Sequence, residues 1–336
     1  MTGLLHRLRR SATRRLRRTF PGGCAVFFVD NLLSGLRLAH GRLDTESGAA
    51  HATWDVEESL RYIRLVHREY LEQAGIPGFF GRVVEVGPGD NSGVGLLMLA
   101  DGAEQVELID RFYSKRDLDH HKAVYERLKA DFPGLRSILP ADFDGERCDR
   151  LVRLYGAEAA SETFFQTRSG YDFIVSRAVM EHVREPIASL HRMIRALKPG
   201  GRLLHAVDLR DHGMFTDYGF PELTFLRAPP WFYRHMADAA GRPNRILLSR
   251  YRKALPAAEF KVTSLVGHGA LDKPTRYEDI PLDIRRKAIE AVRGQRHALH
   301  PAFRDDSDED LSVSGFFLIF RKPASDAEDA SAPVAA

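Results

Sequence analysis

The segment Val83-Val84-Glu85-Val86-Gly87-Pro88-Gly89-Asp90 constrains this chain more than any other. Apolar, β-branched residues that stop at two closely spaced glycines read as a buried strand entering a tight turn. Glycine lets the backbone bend there and meet a ligand with no Cβ in the way. A small-residue helix over Val94–Ala100 follows, so its unsatisfied N–H groups point at whatever sits over the strand end. The next strand, Gln105–Asp110, closes on an acid 23 residues after Gly87. Strand, glycine turn, helix, strand and acid describe the ligand-binding end of an open parallel sheet. There a carboxylate accepts hydrogen bonds from ribose hydroxyls.

The alternation continues along the chain. Ser137–Leu139 reads as a third strand and Phe173–Ser176 as a fourth. Arg202–Val207 reads as a fifth, led in by Lys198-Pro199-Gly200-Gly201, with a helix over Glu185–Leu197 before it. Phe260–Val266 and Leu311–Phe320 read as sixth and seventh strands, with a helix near Leu282–Arg293 between them. Ahead of the glycine turn, Leu60, Ile63, Val66 and Leu71 predict a helix over Val56–Ala74, stopped by Ile76-Pro77-Gly78. Strands separated by helices imply βαβ units and a sheet covered on both faces.

Charge is distributed unevenly. Of 49 lysines and arginines, seven arginines fall within residues 1–20, which hold no acid; the other 42 face 46 acids. A mildly acidic body argues against a broad nucleic-acid-binding face, and no nucleic-acid partner is expected. Leu5, Leu8, Ala12, Leu16 and Phe20 recur at helical spacing, so residues 1–20 read as a basic amphipathic helix. Such a helix either contacts an anionic membrane surface peripherally or docks on the domain. No run of about 18 uncharged apolar residues occurs, which speaks against a spanning helix. Two cysteines, Cys24 and Cys148, fit a reducing, cytoplasmic compartment. The expected organisation is the arm 1–20, a helical extension 21–79 opening on a Pro-Gly-Gly break, and a main domain 80–322. Insertions at 210–255 and 267–310 and a disordered tail 323–336 complete it.

A nicotinamide dinucleotide site would need a third glycine at position 92, where this chain has Ser92. Glu85 beside the turn would also repel a pyrophosphate and suits a ligand with an ammonium group. Glu85-Val86-Gly87-Pro88-Gly89 resembles motif I of class I S-adenosylmethionine-dependent methyltransferases, with Asp110 as their ribose-binding acid. The stretch Phe173 to Val183 and the turn Leu197 to Leu203 are similar to the same family's fourth strand and fifth-strand entry. The resemblance implies an α/β, Rossmann-like, seven-stranded, mostly parallel sheet with an antiparallel final strand and helices on both faces. It also implies S-adenosyl-L-methionine as cofactor, held by Glu85, Gly87, Gly89 and Asp110, with backbone contacts near Ser176 and Arg177. An adenine-side acid is expected after strand three; Asp142, next to Phe143, is the choice over Asp144.

An acceptor that loses a proton needs a base on the loops after strands four and five. His212, beside Asp211, is the first candidate and His182 the second. Asp208 and Asp211 with these histidines lack a strong metal-ligand spacing, so no metal is assigned. Trp231, Asn244-Arg245 and Tyr251 resemble methyltransferases of bacterial polysaccharide and glycolipid biosynthesis, which implies O-methylation of a small-molecule, sugar or glycan-linked hydroxyl. Other readings are an RNA or protein methyltransferase, and a non-catalytic cofactor-binding partner protein.

Overall fold

The computed structural model describes residues 13–41, 44–45 and 48–324. The basic arm up to residue 12 and the tail from residue 325 lie outside them. The core is one sheet. Its seven principal strands are β1 (Gly81–Val86), β2 (Ala103–Asp110), β3 (Leu151–Tyr155), β4 (Tyr171–Arg177), β5 (Leu197–Asp208), β6 (Glu259–Leu265) and β7 (Val313–Arg321). They lie in the order 3-2-1-4-5-7-6, and β7 runs antiparallel to both β5 and β6. Two further strands, Arg147–Cys148 beside β3 and Gly269–Thr275 beside β6, extend the edges to nine strands.

Alternation along the strands supplies both faces. Val83, Val106, Phe173, Val175, Leu204 and Phe317 face helices α2 (Val56–Ala74), α3 (Gly93–Asp101) and α4 (Leu118–Asp131). Val84, Val86, Ile109, Ile174, Leu203 and Phe316 face α5 (Pro186–Ala196), α7 (Leu248–Ala254) and α8 (Leu282–Arg296). Each set is buried against helices, so a strand slipped by one residue would exchange the two cores.

Two expectations are corrected. The third strand is Leu151–Tyr155; Pro133–Ser137 is a 3-10 turn. Leu135 and Leu139 are one helical turn apart and bury their side chains among α3 and α4, so their apolarity serves a helical corner. The true strand was hidden by Arg153, a buried cation on a strand face. The Pro-Gly-Gly at 21–23 does not break the chain. It forms the first turn of α1 (Phe20–Ala39), where proline's missing N–H costs nothing and Thr19 accepts from the Gly22 N–H.

Helix α1 is the one described helix long and apolar enough to cross a membrane by length and composition. One side of it is docked. Asn31 Oδ1 accepts from the Ala239 and Ala240 N–H groups at 2.8 and 2.9 Å, and Asp30 pairs with Arg242. Cys24 and Phe27 join Phe215, Phe225 and Tyr233 in a third core, shared by α1, α6 (Pro230–Ala237) and the 210–255 insertion.

Candidate active site

The carboxyl ends of β1, β2, β4 and β5 open onto one cleft of ≈ 1240 Å³. Gly87, Gly89, Asp110, Arg177, His182 and His212 line it together. Gly87 and Gly89 both adopt left-handed φ, +70° and +67°. A Cβ on Gly87 would stand 2.3 Å from Val179 Cγ2, and one on Gly89 would stand 2.7 Å from the Gly48 carbonyl oxygen. The turn therefore admits no side chain at either position. Asp110 Oδ1 accepts from the Phe112 N–H at 2.9 Å, leaving the rest of the carboxylate to face the cleft. Burial pushes its pKa up to about 6 against the opposing pull of that hydrogen bond and Arg153.

Glu85 and Asp142 lie off the cleft wall, and Ser176, expected to offer only its backbone, turns its side chain into the sheet while Arg177 and Ala178 next to it line the cleft. Glu85 is buried beneath α2, off the cleft wall, with Oε2 lacking a hydrogen-bond partner. Burial raises its pKa to about 7, with Arg153 pulling the other way. Ser176 is fully buried, its hydroxyl 2.7 Å from His205 Nδ1 within the sheet. Asp142 is exposed and outside the cleft, because the strand it was meant to follow is not there; Phe143 packs on Tyr125 instead. After the real β3, the acid on the cleft wall is Glu162. Asp144 caps its own loop by accepting from the Glu146 N–H at 2.9 Å.

The sequence reading also missed one whole wall. The segment between α1 and α2 crosses the glycine turn: the Asp90 N–H donates to the Gly48 carbonyl at 2.9 Å, and the Ala52 N–H donates to Asp90 Oδ2 at 2.8 Å. This places His51, Trp54 and Tyr62 on the cleft, packed edge to face with centroids 5.1 to 5.6 Å apart. Trp54 was the available signal, one of only two tryptophans and adjacent to the Asp55 helix cap.

At the far wall His182 and His212 meet edge to face, centroids 4.7 Å apart. Beneath them is Glu181, 1% exposed, with no hydrogen-bond partner on either carboxylate oxygen. Burial drives its pKa well above the usual carboxylate range. Burial, then the neighbouring His212, lowers His182 to about 4, so its ring is neutral at pH 7. Asp211 does not orient His212. Its carboxylate accepts from the Gly213, Phe215 and Thr216 N–H groups and the Thr216 hydroxyl, at 2.6–3.0 Å, and so shapes the loop. His212 itself sits at φ +49°, a conformation that costs a non-glycine residue roughly 1 kcal/mol and gathers at functional sites.

Glu85 yields a stability prediction for the ligand-free protein. Its folded pKa lies above the unfolded value, so the fold favours the protonated form and wild type loses stability as pH rises from 4.5 through 7. Glu85→Gln mimics the protonated side chain. Denaturant titration should find the variant more stable at pH 8, by at most about 3 kcal/mol, with the gain vanishing below pH 4.5. Equal stability at pH 8 would show that the ionised form is compensated in the fold.

The methyltransferase-domain family matches residues 56–265, from α2 to the end of β6. No curated protein matches the sequence. Among solved structures, phosphoethanolamine N-methyltransferase 2 of Haemonchus contortus, in complex with S-adenosyl-L-methionine, is 16% identical, with a TM-score of 0.40 over 76% of this chain and 52% of that one. The chain thus spans about half of that relative's length. The YcgJ protein of Bacillus subtilis is 13% identical, with a TM-score of 0.38 over 78% and 98% of the two chains. The [4+2]-cyclase SpnF is 16% identical, with a TM-score of 0.36 over 79% and 81%. With well over half its length inside the family match, the chain belongs to the methyltransferase-domain family and carries an S-adenosylmethionine-dependent methyltransferase domain.

Proposed function

We propose that the enzyme methylates a hydroxyl, and that the hydroxyl belongs to a sugar linked to a lipid or glycan. The observation that carries this reading is the His182–His212 pair on the wall of the cleft that also holds Gly87 and Asp110. A hydroxyl must shed its proton as it is alkylated, and imidazole is the side chain suited to that near neutral pH. Bound S-adenosylmethionine supplies an electrophilic methyl, so the protein must hold, orient and deprotonate. Asp110 would hold the ribose, the 87–89 turn would meet the amino-acid end, and Phe112 would lie against the base. His51, Trp54 and Tyr62 offer ring faces and edges of the kind that pack on sugars. Arg37, Arg111 and Lys115 line the cleft with no acidic partner among the described residues, which favours an acceptor bearing a phosphate.

His212→Ala should cut turnover on hydroxyl acceptors at least ~100-fold while cofactor affinity stays within about threefold. Methylation of amines alone across an acceptor panel would refute the reading. Cofactor binding should also follow Asp110, whose ionised form accepts ribose hydroxyls. Affinity is then full above pH 6 and falls about tenfold per pH unit well below it, while Asp110→Asn is weak and flat. Calorimetric titration between pH 4.5 and 8 reads this directly, and parallel profiles for the two proteins would count against it.

We further propose that the enzyme works at an anionic membrane surface. Helix α1 lines the cleft with Asp30, Ser34, Arg37 and Leu38 while turning Phe28, Val29, Leu32, Leu33 and Leu36 to solvent. Leu32 is 56% exposed, and Trp231 nearby is 67% exposed. A contiguous apolar ridge of this kind calls for a partner. Arg14, Arg15 and Arg18 are exposed just before it, which matches anionic headgroups. Flotation of the full chain should show binding to vesicles containing phosphatidylglycerol, weakened by salt and abolished by Leu32→Glu with Leu36→Glu. Absence of binding, or a lipid-free dimer broken by the same pair, would replace the bilayer with a second copy.

A further inference from the structure

We infer that Glu181, His182 and His212 form a binding site for one divalent first-row transition cation at the floor of the acceptor side of the cleft. His212 Nε2 lies 3.7 Å and His182 Nε2 4.0 Å from the same Glu181 oxygen, Oε1. One ligand atom from each residue can be chosen so that all three lie within 4.8 Å of one another. Donors around a cation at about 2.1 Å stand roughly 3 to 3.5 Å apart, so a small inward rotation of the rings closes the set. Two imidazoles and one carboxylate on one side, with open positions on the other, is the donor set used for divalent iron and shared by zinc and manganese.

The second observation is the state of Glu181. Both its oxygens are buried without a well-formed hydrogen bond, the Glu181 and Asp208 main-chain N–H groups offsetting only part of the burial, although buried polar groups are nearly always satisfied. The carboxylate lies beside both imidazoles, and both rings reach the cleft where open coordination positions would face the acceptor. Asp208 stands behind the site. Its Oδ2 is 3.8 Å from His212 Nε2, and its carboxylate is gripped by Arg210 through Nε at 2.8 and 3.1 Å. Burial pushes the Asp208 carboxyl up, but the Arg210 hydrogen bonds and His212 outweigh it and keep it ionised. Asp208 thus stands as a fixed negative charge close to the site, which favours a cation there.

The loop is built to hold these donors. Asn244 Nδ2 donates to the Met180 and Val183 carbonyls at 2.8 and 2.7 Å, and the Asn244 N–H donates to the Glu181 carbonyl at 2.6 Å. The insertion thereby clamps the Met180, Glu181 and Val183 carbonyls on the backbone that carries Glu181 and His182. A cation on these donors would take the acceptor hydroxyl oxygen as a further ligand and lower its proton affinity. With His212 Nε2 held by the cation, His212 would no longer act as the base; the proton would leave to water and the oxygen would keep its lone pairs for attack. That role rests on the hydroxyl-acceptor reading; the binding itself does not.

The test titrates chelator-stripped full-length protein with Mn²⁺, followed by loss of its free-ion EPR signal, and with Zn²⁺ by calorimetry. One site per chain is expected. Affinity should fall at least tenfold in His212→Ala and Glu181→Gln, with S-adenosylmethionine binding retained as the check on folding. His212 is partly exposed, so its removal leaves the core intact even if the Glu181 variant misfolds. No stoichiometric binding of either ion at 1 mM, or equal binding by wild type and His212→Ala, overturns the site. Metal-free protein that still methylates hydroxyls at the full rate would sink the metal's role in the reaction and leave the reaction standing. Metal binding without hydroxyl methylation would do the reverse.

Discussion

The glycine turn at 87–89 can serve a ligand only because the protein holds it from every side. The Gly87 N–H donates to the Ile109 carbonyl at 2.8 Å, tying the turn to the neighbouring strand. Arg153 reaches the Gly89 carbonyl and also donates to the Ser92 hydroxyl at 3.1 Å, and that hydroxyl donates to the Gly145 carbonyl at 2.6 Å. Asp90, fully buried, takes the Ala52 N–H and lies 3.7 Å from His121. A left-handed backbone at two positions is affordable when so many bonds over-determine it. The same bonds draw the segment 48–54 over the turn, so the cleft gains its aromatic wall from chain that precedes the sheet.

Elements whose period matched their burial were legible in the sequence. The glycine turn, Asp110, the helix over Val56–Ala74 and the near-continuous apolar run of β7 fall within two residues of where pattern places them. What misled the reading was chemistry that violates the pattern for a reason. Arg153 broke the apolarity of β3 because its guanidinium is needed under the glycine turn. Without β3, the adenine-side acid was sought at Asp142, not among the residues after Tyr155. Ser92 told against a dinucleotide fingerprint, and in the fold its hydroxyl occupies the helix start as a hydrogen-bonding hub. The third core was illegible because its members come from positions 24–27, 214–237 and 292–311, a closeness that no local pattern announces.

The 210–255 insertion shows how packing residues and site residues divide. Tyr233 and Tyr251 are buried, and Arg245 lies over the Tyr233 ring at 3.7 Å while donating to the Phe225 and Ala228 carbonyls. Arg245 and Tyr251, singled out for their resemblance, build the insertion together with Tyr233, and none of the three lines the cleft. Its contribution to the site is indirect: Asn244 fixes the loop after β4, Asp211 fixes the loop after β5, and Asp238 to Arg242 close the cleft against α1. Fold families commonly keep their sheet and vary such insertions to choose an acceptor.

Glu85 and Glu181 set the limit of what burial alone says. Both are nearly inaccessible, both retain carboxylate oxygens with no donor, and burial raises both pKa values. Each costs stability in its ionised form, so each calls for a compensating charge. Their surroundings differ. Glu85 has Tyr70 beside it and the cation Arg153 within electrostatic reach. Glu181 has two imidazoles that both line the cleft, and its charged neighbours Asp208 and Arg210 pair with one another. Neither acid lines the cleft itself; Glu181 meets it through His182 and His212, which do, and that connection separates a structural carboxylate from one placed to share a ligand with its neighbours.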